Sequence, residues 1–436
     1  MRAGLSATKN NMRPKRLIII GLDGVPVSLL KELAQADVMP NIGQIMRNGF
    51  FAPMRSSIPE ISSVAWSSII TGVNPGEHGI FGFVDIQPGS YKIRFPNFND
   101  LKSPPFWSRC RGKSVIINVP STYPVKDMNG VHISGFVSIE LPQSVYPKFL
   151  ITQLKKLDYR LDVDSEKAHT DLDLFLADLD KTLTARIKAA EYLWDYIDWQ
   201  TFMLAFTGTD RLMHFLWSAY EDKGHKYHKD FLGHFRKIDA AVGEICSKIT
   251  EDDALIMLSD HGFEKLEKDV YVNYLLASEG FLTVNPTGRA DMINIGRPTK
   301  AFALEPARIY INQKGKYPAG SVEPNDRDSC LKDLESLFLS LRIDGRKVIK
   351  HVYRKQDIYS GPYINEAPDL VIIAEKGFNL KGAMNVQELT GKGPFTGKHT
   401  YYDAFLLLND KNLAGEIPDD LCVADAGRLI QNLVKE

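Results

Sequence analysis

The chain has 436 residues, 44% hydrophobic and 25% charged, a composition that argues against large-scale disorder and supplies enough apolar side chains for a sizeable interior. Lys and Arg number 53 against 54 Asp and Glu, so a formal charge of -1 gives no reason to expect a nucleic-acid polymer as partner. The four cysteines, Cys110, Cys246, Cys330 and Cys422, form no C-x-x-C pair and point neither to a disulfide framework nor to a cysteine-rich zinc site.

Residues 1–14 are polar and basic and read as a flexible tail. The apolar run that follows, Leu17–Ile20, is too short for a signal segment, and nothing later approaches membrane-spanning length, so a cytoplasmic protein without membrane association is expected. That run is the first of six short apolar stretches, continuing with Val115–Val119, Phe202–Phe206, Ala254–Leu258, Leu370–Ala374 and Phe405–Leu408. Each ends abruptly in polar residues or glycine, the pattern of a strand buried on both faces of a parallel sheet. Between them, Leu183, Ile187, Ala190, Trp194 and Ile197 form one helical stripe, and Phe231, Phe235, Ile238, Val242, Ile245 and Ile249 another.

Strands alternating with amphipathic helices predict an α/β fold with a doubly wound, mostly parallel central sheet flanked by helices, whose ligands bind beyond the carboxyl ends of the strands. From about 270 to 390 the rhythm breaks into Pro and Gly punctuation, a polar stretch Asn285–Lys300 and an isolated helix near Asp326–Leu341. This reads as mostly an inserted smaller lobe covering the site, leaving 15–269 and 391–436 as the catalytic core. Residues 86–110 and 139–180 read as a second, loop-rich excursion.

Asp23 directly follows Leu17–Leu22, so its carboxylate should emerge at the carboxyl end of a buried strand, where a helix cap or turn former is the commoner role. The segment from Ile58 to Ile80 supplies hydroxyls, Ser62 and Ser63 among them, ahead of a helical run ending at Gly72. A serine there is often only a cap, yet a helix N-terminus also suits a phosphate and lowers the cost of an alkoxide. Asp210 and His214 are four apart, which on a helix puts both on one face, within reach of one cation; a capping Asp and a packed His is the plain alternative. Asp260 and His261 close the run Ala254–Ser259, where a sharp turn can bring carboxylate and imidazole together. His399 lies in Gly-Lys-His-Thr after a glycine-rich loop, a position usually solvent-facing, and His78 reads as structural.

In this order the motifs resemble the alkaline phosphatase superfamily, specifically its type I phosphodiesterase and nucleotide pyrophosphatase branch and the related predicted phosphohydrolase/phosphomutase group. The resemblance is carried by Gly21-Leu-Asp23, by the segment ending in Thr71-Gly72 with Asn74-Pro-Gly-Glu-His-Gly79 behind it, by Asp210-x-x-x-His214, by Ser259-Asp-His-Gly262 and by Gly397-Lys-His399. It spans nearly the whole chain and implies two divalent metal ions, zinc first and manganese as the other candidate. One would be bound by Asp210, His214 and His399, the other by Asp23, Asp260 and His261, with Ser62 as bridging nucleophile and Ser63 as the neighbour to test beside it. Ala65 stands where the diesterase branch commonly has an asparagine, and Ser62-Ser-Val-Ala-Trp66 lacks the C/S-x-P-x-R pattern of sulfatases.

The resemblance thus implies a metal-dependent phosphohydrolase that cleaves small phosphate esters, diester or monoester, through a seryl-phosphate between two cations. The sequence leaves two alternatives open: a phosphotransferase or phosphomutase using the same site, and a non-catalytic metal- or phosphate-binding protein. Arg211 and Lys398 are candidates for substrate recognition.

Overall fold

The apolar run Leu17–Leu22 (β1) lies at the centre of a sheet and is buried at every position. In the computed structural model, which describes residues 15–285, 292–415 and 417–434, that sheet has eight strands; the expected tail, residues 1–14, lies outside the described residues. The others are Phe50–Met54 (β2), Ser114–Val119 (β3), Gly130–Ser134 (β4), Val145–Tyr146 (β5), Thr201–Phe206 (β6), Ala254–Leu258 (β7) and Ala404–Leu408 (β8). Their order across the sheet is β2-β8-β7-β1-β6-β3-β4-β5. The five strands from β7 to β4 run parallel, whereas β8 pairs antiparallel with both β7 and β2, and β5 pairs antiparallel with β4. The expected doubly wound α/β sheet is therefore present, with antiparallel strands at both edges.

Successive side chains alternate between two apolar layers, as the pleat requires. Ile18, Ile20, Phe202, Leu204, Leu255 and Met257 join the layer that receives helices Leu172–Tyr196 and His228–Lys248. Leu17, Ile19, Met203, Ala205, Ile256 and Leu258 face the other, shared with helices Ser62–Thr71 and Val423–Val434. The stripe Phe231, Phe235, Ile238 and Val242 is wholly buried on the first face, which accounts for its helical spacing.

Two expected strands sit differently. Phe405–Leu408 lies within β8 and is antiparallel, because the chain re-enters the sheet between β2 and β7. Leu370–Ala374 is outside the central sheet: it belongs to a four-stranded antiparallel sheet ordered Ala301–Leu304, Arg308–Ile311, Leu370–Ala374, Ile349–Arg354. Its apolar run is continuous because both faces are covered, so burial alone did not reveal the direction of pairing. A separate apolar cluster gathers on this sheet and on helix Arg327–Ser340, with Val270 and Leu380 included and Ile86 and Tyr91 reaching in from earlier in the chain.

Candidate active site

Three neighbouring parallel strands end at one edge of the sheet, and each delivers part of the site there. Asp23 follows β1, Thr207 and the helix Gly208–Glu221 follow β6, and Ser259, Asp260 and His261 follow β7. The helix starts early enough to hold Asp210 and His214 on one face, with His214 Nε2 3.4 Å from Asp210 Oδ1. Thr209 Oγ donates to the Asp23 carbonyl at 2.6 Å, tying that helix to the end of β1.

The helix Ser62–Thr71 aims its N-terminus at the same place. Its cap is Ile61, whose carbonyl accepts from the N–H groups of Val64 and Ala65, so Ser62 is the first helical residue and its hydroxyl is not used as a cap. Ser62 Oγ stands 3.4 Å from Asp23 Oδ1 and 3.2 Å from His261 Nε2. Ser63 is equally buried, but its hydroxyl makes no hydrogen bond and reaches none of the donors. Trp66, one turn further on, donates its indole N–H to Asp23 Oδ2 at 3.3 Å.

His399 departs from the expected loop. It lies on a short strand, Gly397–Thr400, paired antiparallel with Gly262–Lys265 so that His399 stands opposite Phe263. That pairing carries the imidazole to the centre of the site: its Nε2 is 3.0 Å from Asp210 Oδ1 and 3.0 Å from His214 Nε2. His78 is structural, as expected: wholly buried, with Nε2 3.0 Å from Ser68 Oγ.

Two groups of three donors result, Asp23 with Asp260 and His261, and Asp210 with His214 and His399, each with its ligand atoms within 4.8 Å of one another. They adjoin, since His261 Nε2 lies 3.7 Å from Asp23 Oδ1, 3.4 Å from Asp260 Oδ2 and 3.9 Å from Asp210 Oδ1. The sequence-predicted residues therefore all meet in one place, with Ser62 on the side of the first group.

The chemistry of these donors fits divalent cations. In all three histidines Nδ1 faces a backbone carbonyl, Gly262 O for His261 at 3.0 Å, Gly397 O for His214 at 3.2 Å and Glu60 O for His399 at 3.0 Å. A carbonyl only accepts, so Nδ1 carries the proton and each Nε2 lone pair points inward. His214 and His399 thus set two lone pairs against each other at 3.0 Å beside a carboxylate, an arrangement that calls for a cation between them. In the other group Asp260 Oδ1 accepts from the Gly24 N–H at 3.0 Å, while its buried Oδ2 has no hydrogen-bond partner. A buried carboxylate oxygen left unpaired costs about 1–3 kcal/mol or more, which a coordinated ion would remove.

The electrostatics agree. Burial, reinforced by the charges of Asp260 and Asp210, holds the Asp23 carboxyl well above the usual carboxylate range. Burial and Asp210 push Asp260 up to about 7 against the opposing Gly24 N–H. For Asp210, burial is outweighed by His214, His399 and Arg211, which hold its carboxyl below the usual range. Burial lowers His214 to about 4 and keeps His261 well below its ordinary value, whereas at His399 the Asp210 hydrogen bond overcomes burial and raises it. Mixed carboxylate and imidazole donors suit zinc, and manganese shares them.

A cleft of about 350 Å³ opens beside His214 and His399, bounded by Arg211, Lys398 and Glu60 on its polar side and by Phe83, Phe378 and Phe395 among its apolar walls. Arg211 donates to Asp162 at 3.1 Å and lies 3.9 Å from the centre of the Phe136 ring; Lys398 pairs with Glu264 at 3.1 Å. Trp66, Thr209 and Phe136 were not singled out from the sequence. Their roles arise from contacts far apart in the chain, and no local pattern marks them.

An α/β sheet with donor sets converging at its carboxyl edge follows the general rule for such sheets, and comparison with solved structures gives the fold as alkaline-phosphatase-like. Phosphonoacetate hydrolase from Sinorhizobium meliloti 1021 in complex with phosphonoformate is similar with a TM-score of 0.65 at 15% identity, covering 97% of this chain and 96% of that one. The same enzyme in complex with phosphonoacetate gives a TM-score of 0.65 at 14% identity over the same shares. No curated protein shows a significant sequence match. Residues 17–402 match the type I phosphodiesterase / nucleotide pyrophosphatase family, and the chain belongs to that family. It is accordingly an enzyme of the phosphoric ester hydrolase class, in a metal-dependent family. Among the described residues no helix is long and apolar enough to cross a membrane.

Proposed function

We propose that the chain hydrolyses small phosphate esters by a double displacement in which Ser62 is phosphorylated and then released. The observation that carries this reading is the position of Ser62 Oγ, 3.4 Å from Asp23 Oδ1 and 3.2 Å from His261 Nε2, at the positive end of a helix. Asp23, Asp260 and His261 would hold one divalent cation, and Asp210, His214 and His399 a second. Bound there, the cations supply Lewis-acid chemistry: a lower hydroxyl pKa at the nucleophile and compensation of charge building on the phosphoryl and leaving oxygens.

The side chains set the course of the reaction. Ser62 gives up its proton to solvent and its oxygen forms a bond to phosphorus as the bond to the ester oxygen breaks. The group expelled opposite Ser62 departs into the cleft lined by His214 and His399 and takes a proton from solvent. Water then attacks the seryl-phosphate from the cleft side, releasing phosphate, or its monoester from a diester, and restoring the serine. Trp66 and Thr209 hold Asp23 throughout, and the Nδ1–carbonyl bonds keep each imidazole turned inward.

We read residues 270–390 as mostly an inserted lobe over this core; the apolar cluster around the four-stranded sheet supports that division. Zinc is the first-choice ion, manganese the second. The four cysteines stand unpaired, which supports a cytoplasmic location.

The test is Ser62→Ala. Turnover of aryl phosphate mono- and diesters should vanish while metal content, read by elemental analysis, stays at the wild-type value; retained turnover rejects Ser62 as nucleophile. Products formed in oxygen-labelled water separate hydrolysis from transfer to another hydroxyl.

A further inference from the structure

Two cavities run into each other beside the site. The cleft next to His214 and His399 shares Val84 and Glu305 with a second, more open groove of about 680 Å³. The groove presents Ile93, Met292, Ile293, Leu304 and Met384, against Lys92 and Glu305 as its charged members. Its floor is firm, because Met292 and Leu304 belong to the buried cluster of the four-stranded sheet. Among the described residues its mouth is open, with Ile93 and Ile293 39% and 67% exposed.

The wall where the cavities meet is built and held. Arg308, wholly buried, donates from Nη2 to Val84 O at 2.8 Å and from Nε to Glu305 O at 3.0 Å, fastening the segment around Val84 to the turn before its own strand. The guanidinium lies so close to Gly82 that a Cβ there would come within 2.4 Å of Arg308 Cζ. A side chain at residue 82 would push the clamp away.

Of the cleft's three lysine and arginine side chains, Arg211 pairs with Asp162 and Lys398 with Glu264, while Lys381 holds its ammonium 5.7 Å from the centre of the Phe395 ring. Beyond them the path is lined mainly by apolar surface, through Phe83, Phe378 and Leu380 and on past Val84. An ester attacked by Ser62 from the inner side expels its leaving oxygen towards this path. We infer that the leaving group is an alcohol bearing a long apolar chain, which runs from the cleft past Val84 into the groove of Ile93, Ile293 and Met384. This rests on the reading of Ser62 as nucleophile and goes further by naming the substrate class.

The experiment uses the full chain loaded with zinc and a series of n-alkyl phosphates and di-n-alkyl phosphates from ethyl to decyl, below their aggregation limits. A methylene fully removed from water changes binding by about fourfold, so kcat/KM should rise about twofold to fourfold per methylene until the groove is filled. Ile293→Asp and Ile93→Asp, both at exposed positions, should flatten that rise; because each protein serves as its own reference, a partly inactive preparation does not alter the slope. Hydrolysis of all chain lengths at equal kcat/KM overturns the inference and leaves the proposed function standing. A steep slope unchanged by both aspartates overturns the groove as its cause. A dimer in sedimentation that either aspartate dissociates assigns the groove to a second copy and overturns it too. Absence of turnover on every ester rejects the functional reading and this inference together.

Discussion

The imidazoles of His261 and His399 stack face to face, with ring centroids 3.7 Å apart and planes 24° from parallel. One belongs to each donor group, so the groups share a wall instead of standing as separate sites. The contact also sets their charges apart: the two rings cannot comfortably be cationic together, and burial keeps the His261 pKa well below its ordinary value, whereas at His399 the Asp210 hydrogen bond outweighs burial and raises it.

On the proposed two-cation assignment, His399→Ala should remove one metal equivalent of two and leave the site of Asp23, Asp260 and His261 filled. Activity should fall by more than the roughly 10–100-fold typical of losing an outer-shell partner. Elemental analysis paired with initial rates checks this, and an unchanged metal stoichiometry contradicts the assignment of His399.

Asp260 gives a pH signature in the metal-free protein. Its carboxyl is raised to about 7, so the folded state holds a proton that the unfolded state has already released. That contribution is fully present below the ordinary carboxylate pKa and is lost as pH rises through about 7, with a slope of at most about 1.4 kcal/mol per pH unit. Metal-free Asp260→Asn should accordingly gain on metal-free wild type between about pH 4 and about pH 7 in denaturant titrations, since the amide does not titrate. A gap that does not vary with pH contradicts the raised carboxyl.

His132 tests burial away from the site. It lies against Phe98 and Trp107, its Nε2 has no hydrogen-bond partner, and burial lowers its pKa to about 3. The unfolded chain takes up a proton near the ordinary histidine pKa and the folded chain does not, so stability is lost as pH falls below that value. His132→Phe should cut the loss between about pH 7.5 and about pH 5 by about 2 kcal/mol relative to wild type. Chemical denaturation at the two pH values measures it.

Gly21 and Trp66 are matched in shape. A Cβ at residue 21 would fall 2.3 Å from Trp66 Cη2, and Trp66 holds Asp23 through its indole N–H. Gly21→Ala should cost about 1–3 kcal/mol of stability as an overpacked site and also reduce activity by displacing Trp66. A mutant with the stability of wild type would show that the helix Ser62–Thr71 can shift to make room.

Which of these features the sequence discloses follows from the range of the interaction that makes them. Asp23 and Asp260 are readable because each closes an apolar run, and Asp210 with His214 because helical spacing is local. The central sheet is readable for the same reason: burial on both faces leaves a continuous apolar signature in β1, β6 and β7. His399 gives no such signal, since its place depends on pairing with Gly262–Lys265 more than a hundred residues earlier. Leu370–Ala374 misleads because a strand in a covered antiparallel sheet carries the same residues as one in a parallel sheet. Trp66 reaches Asp23 and Arg308 reaches Val84 across long stretches of chain, and their neighbours in sequence record nothing of these partners.

The strand β8 sits between β2 and β7, and His399 precedes it by a few residues. A chain emerging from the ribosome has therefore made Asp23, Asp260 and His261 well before it can supply the last partner of Asp210 and His214. The donor set of Asp210 and His214 is thus completed only by the last stretch of the chain, through the pairing of Gly397–Thr400 with Gly262–Lys265 just ahead of β8.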